Sequence, residues 1–595
     1  MKLRKLFAGV AAAATLLSGM AFGAGSAVAA DSAGNATITL SGETNAVKGH
    51  AYKVVKIGSY DHASITKDGK VEGVQITTDT ATAATAAGAA AALTTAEGNG
   101  NWDAGDYKDN PVGYVAAHSN EFASSTTKPW SGRLRAFVTE LVQKTDFQNA
   151  LATATEHVAT SDTYEINGLA DGLYIVIDTT ADNAEGVDHK QTNSIPMLVA
   201  TKIDGHDLAD QELGKINVKN QTTYINKVIV KDNKEWVGTT ERVGDTVTFK
   251  LTSQVPLTVG YLNTAAKPYH FSIGDTMSKG LTFQQVTSVT IGNKTLNKAD
   301  DDATANADQY QLTTTANQKY DTTDTESKAT SLKFDLSNAV YEAGKNAADS
   351  GALAKAEDTI TVVYTAKLNK DAVHAVNGAN PNKVTLDYTH NPDDNSSHHV
   401  PGPEVKVYTY DFGFLKVKAD GQTSLDGAKF VIKQDDQYFR FNTATGLWEN
   451  GTKGTDPKDA DKFTGTNGVF EFKGLAEGIY DVVETDAPAG YLSTTKAKFQ
   501  VTITATNKDK NGNVLDNTYT VKFKNGNDGF NLLTNLNEDG TAKDGGAKVK
   551  NLKSITQLPL TGAAGIAIFG VMAALVIGAG LAVGMKRRGI ASRLA

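Results

Sequence analysis

Two distant stretches of this chain repeat one another almost position for position: Gly168-Leu169-Ala170-Asp171-Gly172-Leu173-Tyr174-Ile175-Val176-Ile177-Asp178 and Gly474-Leu475-Ala476-Glu477-Gly478-Ile479-Tyr480-Asp481-Val482-Val483-Glu484. The first reads as a strand that closes its domain, and the second repeats that closing pattern. Internal similarity at this level argues for related modules strung in tandem. It constrains the chain to a mainly β class, a row of Ig-like β-sandwich domains. Between its two ends lie roughly 530 residues, enough for about three domains.

The first domain is expected at residues 31–218. Stretches 36–40 and 51–57 read as strands from their β-branched content and partial alternation. Residues 81–93 form an alanine tract that fits a helix and a low-complexity loop equally. Residues 132–145 carry Leu134, Phe137, Val138, Leu141 and Val142 at helical spacing. The expectation is a β domain with helical insertions, closed by the strand at 168–178. In the second domain, 219–405, strands are expected at 224–230, 243–251, 360–368 and 384–388. The threonine-rich segment 297–331 reads as an exposed insertion, and 392–403 as a linker. His398 and His399 in that linker have no further ligand at a metal-site spacing, so no metal is expected. The third domain, 406–556, starts with strands at 412–417 and 425–432. Its segment Asp509–Asn513 lacks the glycine and glutamate of a calcium loop and reads as a turn.

Both ends carry targeting signals. Lys2, Arg4 and Lys5 precede an apolar stretch and the small residues Ala27-Val28-Ala29-Ala30, so residues 1–30 read as a cleaved secretory signal peptide. At the other end Leu558-Pro559-Leu560-Thr561-Gly562 precedes an apolar run, 563–585, and then Lys586-Arg587-Arg588. The run exceeds the ~20 residues a helix needs to cross a bilayer, with the basic cluster on the cytoplasmic side. An exported chain of this size often uses disulfides; this one has no cysteine and must find rigidity elsewhere. A net charge of −9 without a basic stripe gives no reason to expect nucleic acid. No cysteine nucleophile, Gly-x-Ser-x-Gly elbow or His-Glu metal motif is present, so neither an enzyme nor a cofactor is expected.

Pentapeptide, helix and basic tail, in that order, resemble the LPXTG sorting signal of Gram-positive surface proteins. The resemblance implies that residues 557–595 are a sorting signal. A sortase cysteine would cut between Thr561 and Gly562 and pass the Thr561 carbonyl to an amine. The mature protein would keep no transmembrane helix and would be joined covalently at the cell wall.

The chain as a whole resembles the major (backbone) subunit of sortase-assembled Gram-positive pili. Its third domain is similar to the B-type domain of collagen-adhesin-like proteins, with an E-box at Tyr480-Asp481-Val482-Val483-Glu484-Thr485-Asp486-Ala487-Pro488-Ala489-Gly490-Tyr491. That resemblance implies an autocatalytic isopeptide bond between Lys416 and Asn551, promoted by Glu484. The chemistry explains the residue types: burial pushes a lysine toward its nucleophilic free amine and keeps a carboxyl protonated to polarise the amide and shuttle protons. In the second domain the corresponding set is Lys227, the acid Asp275 and Asn391. In the first, Asp178 stands where Glu484 does; a bond from Lys53 or Lys56 is conceivable, but a solvated aspartate is the reading preferred. Val218-Lys219-Asn220 resembles the pilin motif whose lysine attacks the acyl-sortase, with Lys215 as the fallback. The implied function is a shaft polymer in which Thr561 of one subunit is amide-linked to Lys219 of the next, supporting adhesion. The alternative is a monomeric LPXTG wall-anchored adhesin or accessory pilin. Implied partners are a pilin-specific and a housekeeping sortase, further copies of the chain, accessory pilins and peptidoglycan; the sequence names no host ligand.

Overall fold

The structure, a computed structural model, describes Val28–Ala29 and residues 34–557, apart from short internal stretches of which the longest is 119–132. The leader up to residue 27, Lys219, residues 392–396, Leu558–Gly562 and the apolar run lie outside the described residues. No described helix is long and apolar enough to cross a membrane. The chain is mostly β, arranged as successive β-sandwich domains.

In the first domain the long strand Ala51–Ile65 pairs with Leu173–Asp178, which pairs with Met197–Ala200. Alternate residues of these strands face opposite layers. Val55, Ile57, Ile175 and Ile177 pack under helices Ala86–Ala96, Pro111–Ala117 and Arg133–Val142. Tyr52, Tyr174 and Val176 face a three-stranded sheet of Thr163–Leu169, Ala36–Ser41 and Lys215–Asn217. Cover on both faces explains why Leu173–Asp178 is a continuous buried run instead of an alternating one. The alanine tract is helical over its described part, and Arg133–Val142 buries the five apolar residues that its spacing picks out.

The repeated stretch turns out to be a corner. It holds the end of one strand, a turn and the start of the next, Thr163–Leu169 into Leu173–Asp178 and Val469–Leu475 into Gly478–Asp486. Gly172 and Gly478 make the turn at φ of 155° and 156°, a region that disfavours any Cβ. The Tyr174 hydroxyl donates to Ala170 O at 2.7 Å, and Tyr480 to Ala476 O at 2.8 Å. The stretch does not close the first domain, because Met197–Ala200 and Lys215–Asn217 still follow.

The middle domain is a six-stranded sheet facing a seven-stranded one. The first holds Ile225–Lys231, Thr246–Gln254, Thr359–Leu368 and Leu281–Ile291; the second holds Ser397–Tyr408, Asn380–Thr389, Phe271–Met277, Ala329–Asp335 and Gln309–Gln318. Two expectations are corrected. Segment 297–331 is not a free insertion: Gln309–Gln318 and Ala329–Asp335 are paired strands near the sheet's edge, and the consecutive threonines 313–315 are exposed on both faces of that edge. The linker expected at 392–403 becomes, from Ser397, the last strand of the domain, and Pro401 and Pro403 fall beside a register shift where the ladder already breaks.

In the third domain a four-stranded sheet centred on Tyr410–Val417 faces a seven-stranded sheet containing Gly478–Asp486. Asp509–Asn513 is a turn, and Asn513 Oδ1 accepts from Val237 N at 2.8 Å, so this turn docks on the middle domain. The joint between these domains is built from backbone. Val514 N donates to Gly238 O at 3.1 Å, Val243 N to Gly474 O at 2.9 Å and Trp448 N to Val243 O at 3.1 Å. The Arg242 guanidinium lies 4.3 Å over the Phe439 ring. A Cβ on Gly238 would sit 2.0 Å from Val514 O, and backbone cannot give way there. Gly238→Ala is therefore expected to cost about 1–3 kcal/mol by overpacking and to loosen the joint. The checks are a lower melting temperature and a broader distance distribution in small-angle X-ray scattering.

Candidate active sites at two buried lysine–carboxyl pairs

Two lysines, Lys227 and Lys416, have no exposed surface. An isolated ammonium buried this way costs several kcal/mol, so the alternation of each strand places it opposite a compensating group.

In the third domain Lys416 lies on Tyr410–Val417, which pairs in parallel with Lys548–Lys550. Asn551 follows that last strand, and its N–H donates to Val417 O at 3.1 Å, so Lys416 and Asn551 sit side by side in one sheet. Glu484 reaches them from the opposite sheet. Its Oε2 lies 3.5 Å from Lys416 Nζ and accepts from Asn551 Nδ2 at 3.4 Å and from Ala497 N at 3.0 Å. Lys416 Nζ donates to Lys550 O at 2.9 Å and stands 5.6 Å from the Phe430 ring centroid. Glu484 Oε1 and Asn551 Oδ1 are buried with no hydrogen-bond partner among the described residues. A proton on Glu484 Oε1 would give this pair of orphans a donor. Burial pushes the Lys416 amine down to about 8 against the pull of Glu484, and raises the Glu484 carboxyl. Both shifts favour the neutral forms, a free amine beside a carboxylic acid.

The middle domain reaches the same composition by another geometry. Lys227 comes from Ile225–Lys231 in one sheet, and Asp275 from Phe271–Met277 in the other. Lys227 Nζ contacts Asp275 Oδ2 directly and donates to the Tyr364 hydroxyl at 3.1 Å. The Tyr364 hydroxyl donates to Asp275 Oδ1 at 2.7 Å and accepts from Asn382 Nδ2 at 2.7 Å. Phe249 and Tyr364 wall the amine at 5.0 and 5.4 Å. Burial lowers Lys227 to about 8 and raises Asp275.

Asn391 is not the asparagine at this site. Val384 is the cross-strand neighbour of Asp275, and Asn391 lies seven residues further along, past the strand's end at Thr389. At ~3.3 Å per residue that is roughly 20 Å away. There the neighbouring His390 O accepts from Asn193 N of the first domain. Asn382, fully buried with its Oδ1 unpartnered among the described residues, takes the place expected of Asn391.

The first domain has the frame without the nucleophile. Ala36 pairs with Leu169 as Tyr410 pairs with Leu475, and both strands show the same register shift immediately after. Six residues on, Gly42 therefore occupies the position of Lys416. A Cβ on Gly42 would meet Val218 at 2.7 Å and Ala46 at 2.9 Å, so the lysine's space is filled. Val218-Lys219-Asn220 corresponds to Val549-Lys550-Asn551, an identity visible in the sequence that would have placed the asparagine. Asn220 Nδ2 donates to Ala46 O. Asp178 is buried, not solvated as expected: its Oδ2 lies 2.9 Å from His50 Nδ1 and accepts from Ser194 N at 2.8 Å. Lys53 Nζ donates to Leu151 O, and Lys56 faces Asp79 at 4.0 Å. Neither is beside Asp178.

Of the candidate polymerisation lysines, Lys219 lies outside the described residues, but its neighbours are pinned: Val218 is buried and Asn220 is tied to Ala46. Lys215 is exposed and ion-paired with Glu212 at 2.7 Å, a contact that raises its pKa.

The family model of the SpaA prealbumin-like fold domain matches residues 411–518, and that of the LPXTG cell wall anchor motif matches residues 553–588. No curated protein matches the sequence. Among solved structures the chain is similar to the T6 backbone pilin of serotype M6 Streptococcus pyogenes, at 18% identity and a TM-score of 0.43, covering 87% of this chain and 98% of that one. It is also similar to BcpA, the major pilin subunit of Bacillus cereus, at 14% identity and a TM-score of 0.38, covering 87% and 99%. The full-length major pilin SpaD of Corynebacterium diphtheriae shows 16% identity and a TM-score of 0.39 over 78% and 90%. The chain thus carries a prealbumin-like fold domain ahead of an LPXTG cell wall anchor, and it is a wall-anchored protein of the cell surface.

Proposed function

We propose that this protein is the shaft subunit of a covalent surface pilus. Sortase forms an acyl bond to Thr561 and transfers it to Lys219 of the next subunit, and the finished polymer is passed to peptidoglycan. The observation that carries the reading is the pair of buried lysine–acid–asparagine sets in consecutive domains. A chain that must bear tension along its length gains from covalent ties inside each module. In the third domain the Lys416 amine attacks the Asn551 carboxamide while protonated Glu484 polarises it, and ammonia leaves. In the middle domain Lys227 joins Asn382 with Asp275 as the acid.

Lys219 is taken as the acceptor because the sequence sets it at the junction of the first two domains, in a stretch that resembles the pilin motif. Lys215 is the poorer nucleophile, since its partner Glu212 stabilises the protonated form that cannot attack.

Three outcomes test this reading. Lys416→Ala or Glu484→Ala is expected to restore the mass of one ammonia to the intact protein and to cost the third domain about 3–5 kcal/mol, from losing a tie that closes a long loop. A mutant that still lacks that ammonia would refute the assignment. Peptide mapping of the wild type is expected to show Lys227 joined to Asn382 and Lys416 to Asn551. Asn391, Lys53 and Lys56 should appear only in linear peptides. Finally, cell-wall extracts boiled in detergent and immunoblotted should show a high-mass ladder that disappears in Lys219→Ala. A persistent ladder would move the acceptor to Lys215 or another lysine, and no ladder even in wild type would make this a singly anchored adhesin.

A further inference from the structure

The two sites differ in how the acid reaches the amide. Glu484 accepts directly from Asn551 Nδ2. Asp275 is one methylene shorter, and among the described residues its side chain makes no hydrogen bond to Asn382; its partners are Lys227 and Tyr364. The gap is filled by a phenol. Tyr364 O–H donates to Asp275 Oδ1 at 2.7 Å, and the same oxygen accepts from Asn382 Nδ2 at 2.7 Å and from Lys227 Nζ at 3.1 Å. One hydroxyl therefore touches the acid, the nucleophile and the leaving nitrogen. Its ring is fixed by stacking on Phe249 at 5.3 Å, and it stands on a central strand of its sheet, between Thr246–Gln254 and Leu281–Ile291.

We propose that Tyr364 is a catalytic residue of the middle domain, relaying a proton from Asp275 to the departing nitrogen of Asn382. This rests on the crosslinking reading above and adds a residue to it. In the reacting form Asp275 is the neutral acid with its proton on Oδ1, so the contact runs the other way: Oδ1–H donates to the Tyr364 oxygen and the Tyr364 O–H turns to Nδ2. Lys227 Nζ, as a free amine, forms a bond to Asn382 Cγ and gives a proton to Asp275 Oδ2, while Oδ1 passes its proton to the Tyr364 oxygen and the Tyr364 hydroxyl proton passes to Nδ2. The Cγ–Nδ2 bond breaks and Nδ2 leaves as ammonia. Asp275 ends as a neutral acid with its proton on Oδ2, Tyr364 ends as a phenol, and no other reactant is required. Burial holds the phenol far from ionisation, so it stays a hydroxyl able to donate and accept at once.

The third domain supplies an internal clock, because its site has no phenol. Full-length protein made by cell-free synthesis and quenched at intervals in acid denaturant would be followed by peptide mass for both bonds. Tyr364→Phe keeps the ring and is expected to slow the Lys227–Asn382 bond roughly a hundredfold, the scale of general acid–base assistance, with the Lys416–Asn551 bond unchanged. Closure of both bonds at wild-type rates would overturn the role of Tyr364 while leaving the crosslink standing. Absence of the middle bond in wild type would instead overturn the crosslink itself, and the relay with it. Wild-type chain labelled with 3-fluorotyrosine covers the case in which Tyr364→Phe misfolds. The more acidic phenol should change the rate of the middle bond relative to the third, which a purely structural tyrosine would not do. An unchanged ratio overturns the proposal.

Discussion

The physical constraint on which the rest of the molecule depends is the burial of a lysine amine in a β-sandwich core. Such a group is tolerated only when paired, and as a plain ion pair it adds little net stability, since desolvation consumes most of the Coulomb attraction. The two sites meet this constraint by favouring neutral partners. Burial drives Lys227 and Lys416 down to about 8 and drives the carboxyls up. The same desolvation that makes the arrangement costly makes the amine nucleophilic and the acid a proton donor. The proposed reaction would be confined to the folded state, because only the closed sandwich brings together strands far apart in sequence. The first domain shows the other solution. With Gly42 at the lysine position and Ala46 and Val218 packed against it, the core is apolar there, and Asp178 is satisfied by His50 and Ser194. Replacing a buried ionic set by packed apolar groups is often neutral or favourable for stability. What that domain lacks is the lysine that the proposed covalent tie needs.

Much of this was legible in the sequence where local chemistry decides. The repeat reads directly because a positive-φ glycine and a hydroxyl-bearing tyrosine are needed at fixed offsets, although that it forms a corner and not a closing strand shows only in the structure. The Arg133–Val142 helix reads directly because five apolar residues share one face. Glu484 and Asn551 stand in motifs that can be found without coordinates. Asn382 and Tyr364 could not be found that way. Both sit on inward-facing positions of alternating strands, where a tyrosine looks like ordinary core, and their roles come from register between two facing sheets. A shift of one residue in that register would turn either side chain to the other face. The resemblance points to Asn391, in Tyr388-Thr389-His390-Asn391-Pro392, but that residue lies past the end of its strand and Ser397–Tyr408 still follows it as a paired strand. The edge strands around Gln309–Gln318 were hidden for a related reason, since a run of threonine and other polar residues exposed on both faces carries no alternation to read.

The two geometries also distribute load differently. In the third domain Lys416 and Asn551 lie on the first and last strands of the same sheet, so a bond between them lets tension bypass the chain from 417 to 550. In the middle domain a tie from Lys227 to Asn382 would run between sheets, and 228–381 would be bypassed. The chain from 383 to 408 would not. It contains the Asn380–Thr389 and Ser397–Tyr408 pair, with Asn382 opposite Val405. Tension entering at Asn382 and leaving at Tyr408 would peel this hairpin from its open end, one hydrogen-bonded pair at a time, which resists far less than shearing a whole strand. The structure braces that end. Gly238–Thr240 adds a parallel strand along Lys406–Tyr408, and the same segment is fastened to the third domain through Val514, with Val243 following it onto Gly474 and Trp448. Under such load the backbone joint between the domains would carry tension that a Lys227–Asn382 crosslink would not. The absence of side chains at Gly238 and Gly244, where a Cβ would strike Val514 O and Trp448 O, follows from how closely the two backbones must meet to do it.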